Sequence, residues 1–135
     1  MKIATRRRLY LREATLSLLI ARIAVRIARP ERLFAWADRP PRRIRRFAAE
    51  EAKWVFWAVE TIGAKPWMNA LCLPCALAVQ AMLRRRGIAS RVCLGVARQG
   101  ETLGAHAWVE VDGHTIVGAG DAGRFTLLAK FGASA

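Results

Sequence analysis

The sequence is poor in cysteine, in acidic side chains and in uninterrupted apolar segments, and each shortage excludes a class of protein. Three cysteines among 135 residues are too few, and odd in number, for a disulfide framework, which favours a reducing, cytoplasmic compartment. The 54% content of hydrophobic residues excludes a disordered, collagen-like or low-complexity chain. A chain of this length typically forms one domain with a core of its own.

The basic charge is concentrated at one end of the chain. Residues 1–46 carry 14 basic and 3 acidic side chains, a net charge of +11, whereas residues 47–135 carry 9 and 7, a net charge of +2. The charge therefore does not imply a nucleic-acid reader for the chain as a whole, and neither a nucleic-acid motif nor aromatic residues interleaved with these charges support one. We predict a basic helical N-terminal region over residues 1–46 and a second region, residues 47–135, that holds the chemistry.

The most apolar stretch, residues 9–29, is interrupted by four arginines and one glutamate. Each such charge costs about 2.5–3.5 kcal/mol in a membrane-spanning helix, and no small-residue cleavage site follows as in a signal peptide. The spacing of five apolar residues predicts an amphipathic helix instead: Leu16, Leu19, Ile20, Ile23 and Ile27. We expect this face to pack on the domain. The alternative is peripheral contact of the basic helix with an anionic membrane or a partner.

The remaining patterns predict an α+β fold, with a helix packed on a small antiparallel sheet. Pro30 is expected to end or kink the first helix. The Asp112-Gly113 dipeptide predicts a tight hairpin turn between two strands. The predicted elements are helices over about 47–62 and 73–86 and strands over 89–97, 105–111 and 114–118.

One cysteine and one histidine stand where nucleophilic catalysis would need them. Cys72 lies at the start of the best-defined helix, where unpaired N–H groups and the helix dipole favour a thiolate and can hold an oxyanion. His106 lies on a later strand and can supply the base that a thiol nucleophile requires. Helix-borne Cys followed by strand-borne His is typical of papain-like and transglutaminase-like catalysis.

Two other chemistries use the same residues. The run Cys72-Leu73-Pro74-Cys75 is similar to the C-x-x-C redox motif of thioredoxin-like proteins, although no good strand precedes it. A Cys₃His zinc site built from Cys72, Cys75, Cys93 and His106 is a second alternative. The third alternative is that the domain has no catalytic activity. His114, close to the hairpin turn, is interpreted as an exposed histidine without a catalytic role.

Two blocks of sequence resemble one family closely. The blocks are C-L-P-C-A-L-A-V-Q-A-M-L-R-R-R-G-I-A-S-R-V-C-L-G-V, residues 72–96, and A-H-A-W-V-E-V-D-G, residues 105–113. They resemble the transglutaminase-like leader peptidases of lasso-peptide biosynthesis, in particular the stand-alone peptidase half of a split maturation protein. That family's pattern is Cys-Leu, a short helix ending in L-x-R-R-G, a G-V strand and then A-H-A-W-V-E.

The resemblance implies a transglutaminase-like cysteine peptidase that removes the leader from a ribosomally made precursor peptide without a cofactor. Cys72 would be the nucleophile and His106 the general base and acid. The family places an aspartate about twelve residues beyond the histidine, but Gly118 stands there. The nearest carboxylate downstream is Asp121, which we expect to orient the imidazole; Asp112 in the turn, or no third residue, are the alternatives.

The same resemblance implies partners. A separate leader-binding protein would present the precursor, and an ATP-dependent macrolactam synthetase, the lasso cyclase, would take the trimmed core. The basic N-terminal region is expected to dock a partner protein or a membrane, and no nucleic acid is expected.

Overall fold

Four helices precede four strands in the part of the chain that the structure describes. The computed structural model describes residues 2–44, 49–111, 114–117 and 125–132. The helices are α1 (Ile3–Ile27), α2 (Pro30–Asp38), α3 (Ala49–Gly63) and α4 (Cys72–Arg85). The strands are β1 (Arg91–Gln99), β2 (Thr102–Val111), β3 (His114–Val117) and β4 (Thr126–Gly132). The α+β architecture, with helices on a small antiparallel sheet, confirms the predicted fold class. The predicted boundary between residues 46 and 47 lies outside the described residues.

The described strands form one antiparallel sheet in the order β3-β2-β1-β4. β1 and β2 pair along their full length, from Arg91 opposite Glu110 to Gln99 opposite Thr102. β3 pairs only with the end of β2, residues 109–111. The edge strand β4 was not predicted from the sequence; it pairs with β1, with a register shift at Leu94/Gly95.

The face of α1 that packs inward is not the one predicted. Ala14, Leu18 and Ala21 are buried, and the small alanines allow α1 to approach the other helices closely. A salt bridge from Arg85 Nε to Glu13 Oε1, 2.8 Å, ties α1 to the end of α4. The five residues predicted to pack inward are exposed instead, and the prediction was therefore wrong: Leu16, Leu19, Ile20, Ile23 and Ile27. We call them the α1 stripe.

α2 is a separate helix that connects the front of the chain to its last strand. Pro30 does not kink α1, which ends at Ile27, but occupies the first position of α2, where its missing N–H costs nothing. Phe34 stacks on Phe131 with ring centroids 4.5 Å apart. The Gly132 amide donates to Asp38 Oδ1 at 3.0 Å.

A buried amide on α4 completes this connection. The Gln80 side chain is 2% exposed. Its Nε2 donates to the carbonyl of Ala37 at 2.6 Å and lies 3.4 Å from that of Phe131 and 3.5 Å from that of Ser90. One side chain therefore binds the end of α2, the turn before β1 and β4 together.

The hydrophobic core lies between the helices and one face of the sheet. Leu18 of α1, Val59 of α3 and Met82 of α4 pack in one cluster with Val92 and Val109 of the sheet. α1 and α2 thus share a core with α3 and α4. None of the described helices is both long enough and apolar enough to cross a bilayer.

Candidate active site

The segment that delivers Cys72 is a hydrogen-bonded loop between α3 and α4. Its backbone closes on itself, with the Asn69 amide donating to Lys65 O at 2.7 Å and the Ala70 amide to Gly63 O at 3.0 Å. Asn69 has φ 41°, a left-handed conformation that asparagine adopts more readily than most residues. Met68 is fully buried, so the loop is anchored directly ahead of Cys72.

The loop is also held from α1. Arg22 Nη1 donates to the carbonyl of Met68 at 3.1 Å, which connects the basic N-terminal region to the segment carrying the cysteine. The position of Cys72 therefore depends on α1, although the two lie 50 residues apart in the sequence.

Cys72 is the first residue of α4, as the sequence predicted for a nucleophile. The N-cap residue, Leu71, forms no side-chain capping hydrogen bond, and Pro74 in the first turn has no N–H to offer. The amides of Cys72 and Leu73 therefore point from the helix start without a side-chain cap, at the positive end of the helix dipole. The Cys72 side chain is partly exposed. This arrangement suits a sulfur that carries negative charge and an oxyanion beside it.

Cys75 faces inward on the first turn of the same helix. Its Sγ lies 3.9 Å from Ala70 O, and a Cβ added at Gly63 would lie 3.1 Å from that sulfur. Burial, followed by negative charge at Cys72 and at Glu60, raises the pKa of the Cys75 thiol to about 11. Cys75 is therefore a neutral thiol that fills space beneath α4.

Cys93 is fully buried in β1. Burial, and then the Glu110 carboxylate, raises the pKa of its thiol to about 11. Glu110 also accepts from Lys130 Nζ at 2.9 Å. Of the three cysteines, two are thus held protonated at neutral pH, and Cys72 is the remaining candidate for a nucleophile.

The geometry does not support the two alternative chemistries. The described residues, which include Cys72, Cys75, Cys93 and His106, contain no group of three or more His, Cys, Asp or Glu side chains placed to hold a metal ion. The Cys₃His site is therefore not assembled. The redox alternative lacks its usual context, because residues 64–71 ahead of the C-x-x-C run form turns and irregular backbone, not a strand.

His106 lies in the middle of β2, opposite Gly95 of β1. Its ring is 4.9 Å from that of Phe125 and 6.0 Å from that of Trp108, measured between centroids. The imidazole is half-buried and forms a three-ring cluster with these two neighbours, whose own centroids lie 6.3 Å apart.

Gly95 is the residue that makes room for this aromatic group. A Cβ at Gly95 would lie 2.8 Å from two carbons of the Trp108 ring and 2.9 Å from Thr126 O. The indole therefore lies across the backbone of β1, and Trp108 is only 4% exposed. The sequence analysis assigned no role to Gly95, Trp108 or Phe125. The G-V and H-A-W motifs contained a signal for two of them, because a glycine opposite His106 in paired strands leaves space for the ring of Trp108.

Cys72 and His106 come from two layers that pack on each other. Ala107, Val109 and Val111 of β2 belong to the core, so the alternate residues His106, Trp108 and Glu110 project from the other face of the sheet. Among the described residues, no hydrogen bond joins the Cys72 thiol to the His106 ring. The pairing of these two side chains as a catalytic dyad stays a prediction.

The rim of the sheet beside His106 is open in the described structure. β3 pairs with residues 109–111 alone, so the stretch of β2 that carries His106 has β1 on one side and no described strand on the other. Ala105 is exposed even though it lies on the core side of the strand, which shows that the helical layer ends near this point.

The candidates for a third catalytic residue lie outside the described residues. These are Asp121, Asp112 and the family's aspartate position, Gly118. His114 is the first residue of β3. The choice of orienting residue stays a prediction.

Comparison with known proteins gives one match. A family model described as the transglutaminase-like superfamily matches residues 15–130, which cover α1 from its middle through to β4. No curated protein and no solved structure matches the chain.

Proposed function

Since the chain belongs to the transglutaminase-like superfamily, we propose that it is a cysteine endopeptidase that removes the leader from a ribosomally made lasso-peptide precursor. The superfamily includes cysteine peptidases. The observation that carries the proposal is that Cys72 alone among the three cysteines combines the first position of a helix with partial exposure, whereas burial raises the pKa of the Cys75 and Cys93 thiols to about 11. The resemblance of residues 72–96 and 105–113 to leader peptidases supplies the substrate.

The proposed reaction is acyl transfer to sulfur followed by hydrolysis. His106 takes the proton of the Cys72 thiol, and Sγ attacks the scissile carbonyl at the leader–core junction. The Cys72 amide donates to the resulting oxyanion. Imidazolium gives its proton to the leaving amine as the C–N bond breaks. Water, deprotonated by His106, then attacks the thioester, and the proton returns to sulfur.

The layout of α4 and β1 brings the elements that carry the two side chains together at one end of the layers. Five residues connect α4 to β1, so the end of α4 lies beside the start of β1 and the two elements run in roughly opposite directions. The N-terminus of α4 is then directed toward the far half of β1, where Gly95 pairs with His106. His106 projects from the sheet face opposite the core, so the proposed dyad requires the imidazole to reach the thiol around the edge of β2.

The resemblance also supplies the proposed partners: the precursor peptide, a leader-binding protein and the lasso cyclase. The chain would work in the cytoplasm. We further propose that the α1 stripe makes a peripheral membrane contact, because its apolar residues are exposed on the side of α1 opposite the core and exposed arginines, among them Arg12 and Arg26, flank it. That combination is typical of helices that lie on anionic lipid.

Selective alkylation and cleavage test the peptidase proposal. Iodoacetamide at pH 7 should label Cys72 first in the folded protein, as read by peptide mass spectrometry. Incubation with the precursor and the leader-binding protein from neighbouring genes should give two peptides whose masses sum to that of the precursor plus water. Cys72→Ala should abolish the cut, whereas Cys75→Ala and Cys93→Ala, matched single thiol losses, should retain it. Cleavage by Cys72→Ala would contradict the proposal.

A further inference from the structure

A large basic groove lies at the end of α4 opposite to Cys72. Its volume is about 890 Å³, and Trp36, Pro40 and Glu51 contribute to its walls. Six arginines dominate the lining: Arg39, Arg42, Arg43, Arg84, Arg85 and Arg86. The groove is formed where the segment after α2 passes the last turn of α4, and none of the proposed catalytic residues borders it.

Much of this positive charge is not neutralised within the described structure. Arg85 and Arg86 pair with Glu13. Arg84 instead donates to the carbonyl of Ala37 at 3.2 Å and lies over the Trp36 ring, 4.1 Å from its centroid. Burial, and then repulsion from Arg39, lowers the pKa of Arg84. Among the described residues, Arg84 has no carboxylate partner.

The other arginines of the groove extend this charge into solvent. Arg39, Arg42 and Arg43 are exposed and form no ion pair within the described ranges. Like charges gathered around a concave surface raise one another's energy, and a bound anion relieves that repulsion. Guanidinium groups favour carboxylates and phosphates, which they contact through two parallel hydrogen bonds.

The shape of the groove selects among anionic ligands. A bilayer surface is flat on this scale and cannot enter a concave site. Single-stranded nucleic acid is bound by several aromatic faces on which successive bases stack, but Trp36 is the single aromatic residue among the described lining residues, and Arg84 already covers one of its faces. An extended peptide fits, since its carboxylates can reach the arginines while its backbone lies against Trp36 and Pro40.

We propose that this groove binds an acidic segment of the leader of the peptide substrate. The identity of that peptide rests on the proposed function. α4 has 14 residues, and at 1.5 Å per residue it separates the groove from Cys72 by about 20 Å. An extended peptide covers that distance with about six residues. The acidic residues would therefore lie about six or more positions before the scissile bond.

Binding is tested without cleavage, on the full chain carrying Cys72→Ala. The probe is a fluorescein-labelled ten-residue peptide with four glutamates, and its analogue has four glutamines. Fluorescence anisotropy should show that Arg39→Glu/Arg43→Glu weakens binding of the acidic probe by about tenfold or more. The matched control, Arg8→Glu/Arg12→Glu, changes the net charge equally at exposed positions on α1 and should alter binding less than twofold.

Several results would overturn the proposal. One is an equal loss of probe binding in both double variants, which would indicate that net charge alone matters. The others are equal binding of the glutamine analogue, displacement of the probe by anionic vesicles, and tighter groove-dependent binding of a single-stranded oligonucleotide. Failure of the peptidase proposal gives a different result: the probe binds as expected, but the wild-type chain cuts no precursor.

Discussion

Replacing Gly95 by alanine should disturb His106, the proposed catalytic histidine, without touching it. The added Cβ would lie 2.8 Å from two carbons of the Trp108 ring, whereas relaxed carbon–carbon contacts are about 3.5–4.0 Å. The ring therefore has to move by about 1 Å. β1 cannot simply shift away from it, because Thr126 O lies 2.9 Å from the same Cβ.

The size of the effect follows from this overlap. Overpacking of a buried site costs about 1–3 kcal/mol, and a loss of 1 kcal/mol lowers the melting temperature of a chain of this size by about 4 °C. Trp108, Phe125 and His106 form one cluster of rings, so displacement of the indole should also move the imidazole. A displacement of about 1 Å can reduce kcat/KM by about 10- to 100-fold.

The assay is a double-mutant cycle with urea unfolding and precursor cleavage as readouts. Trp108→Phe removes the ring carbons that the new Cβ would contact. Gly95→Ala should therefore cost at least about 1 kcal/mol less in the Trp108→Phe background than in the wild type. Gly100→Ala is the control. Its φ is 66° and nothing lies within 4 Å of its Cβ, so it costs about 1 kcal/mol of backbone strain but leaves cleavage unchanged.

Two outcomes would refute the reasoning about Gly95. One is a coupling energy indistinguishable from zero, since the cost would then not come from contact with the indole. The other is unchanged cleavage by a folded Gly95→Ala protein, which would mean that the position of Trp108 does not control His106.

Three further predictions concern stability and surface contact. Burial opposes ionisation of Glu13, but hydrogen bonds from Arg86 and its neighbour outweigh it and hold the pKa of Glu13 below its ordinary value of 4.5. Glu13→Gln should therefore lower the free energy of unfolding by about 1 kcal/mol at pH 7. The difference from wild type should shrink at pH 3, where protonation of Glu13 also breaks the wild-type ion pair. An equal loss of stability at both pH values would contradict this. Gln80→Leu removes the donor for buried carbonyls and should lower the free energy of unfolding in urea by about 2–3 kcal/mol. A loss below 0.5 kcal/mol, on the scale of an ordinary surface change, would show that the Gln80 amide does not hold α2 and β4 to α4. Ile20→Glu/Ile23→Glu should abolish co-sedimentation with anionic vesicles while circular dichroism is unchanged, and retained sedimentation would exclude the α1 stripe as the membrane contact.

Local signals in the sequence were sufficient for the central elements of the fold. Gly87 and the prolines bounded α4 to within a residue, and alternation located β1 to within two residues and β2 to within three. These elements carry both candidate catalytic residues, so Cys72 and His106 could be selected without coordinates.

The errors came from tertiary contacts that leave no local pattern. The α1 stripe has the more apolar residues, but Ala14 and Ala21 face inward because small side chains permit close helix packing. β4 lacks alternating burial, and its place in the sheet depends on Phe34 and Gln80, which are distant in sequence.

The Gln80 connection sets a constraint on the order in which the molecule can assemble. Residue 132 docks onto Asp38, a separation of 94 residues, and contacts of that span form slowly because a long loop must close first. Phe125, immediately ahead of β4, also contacts His106. During translation, the surroundings of the imidazole stay incomplete until β4 has emerged from the ribosome, so a nascent chain that already displays Cys72 does not yet have the complete proposed site.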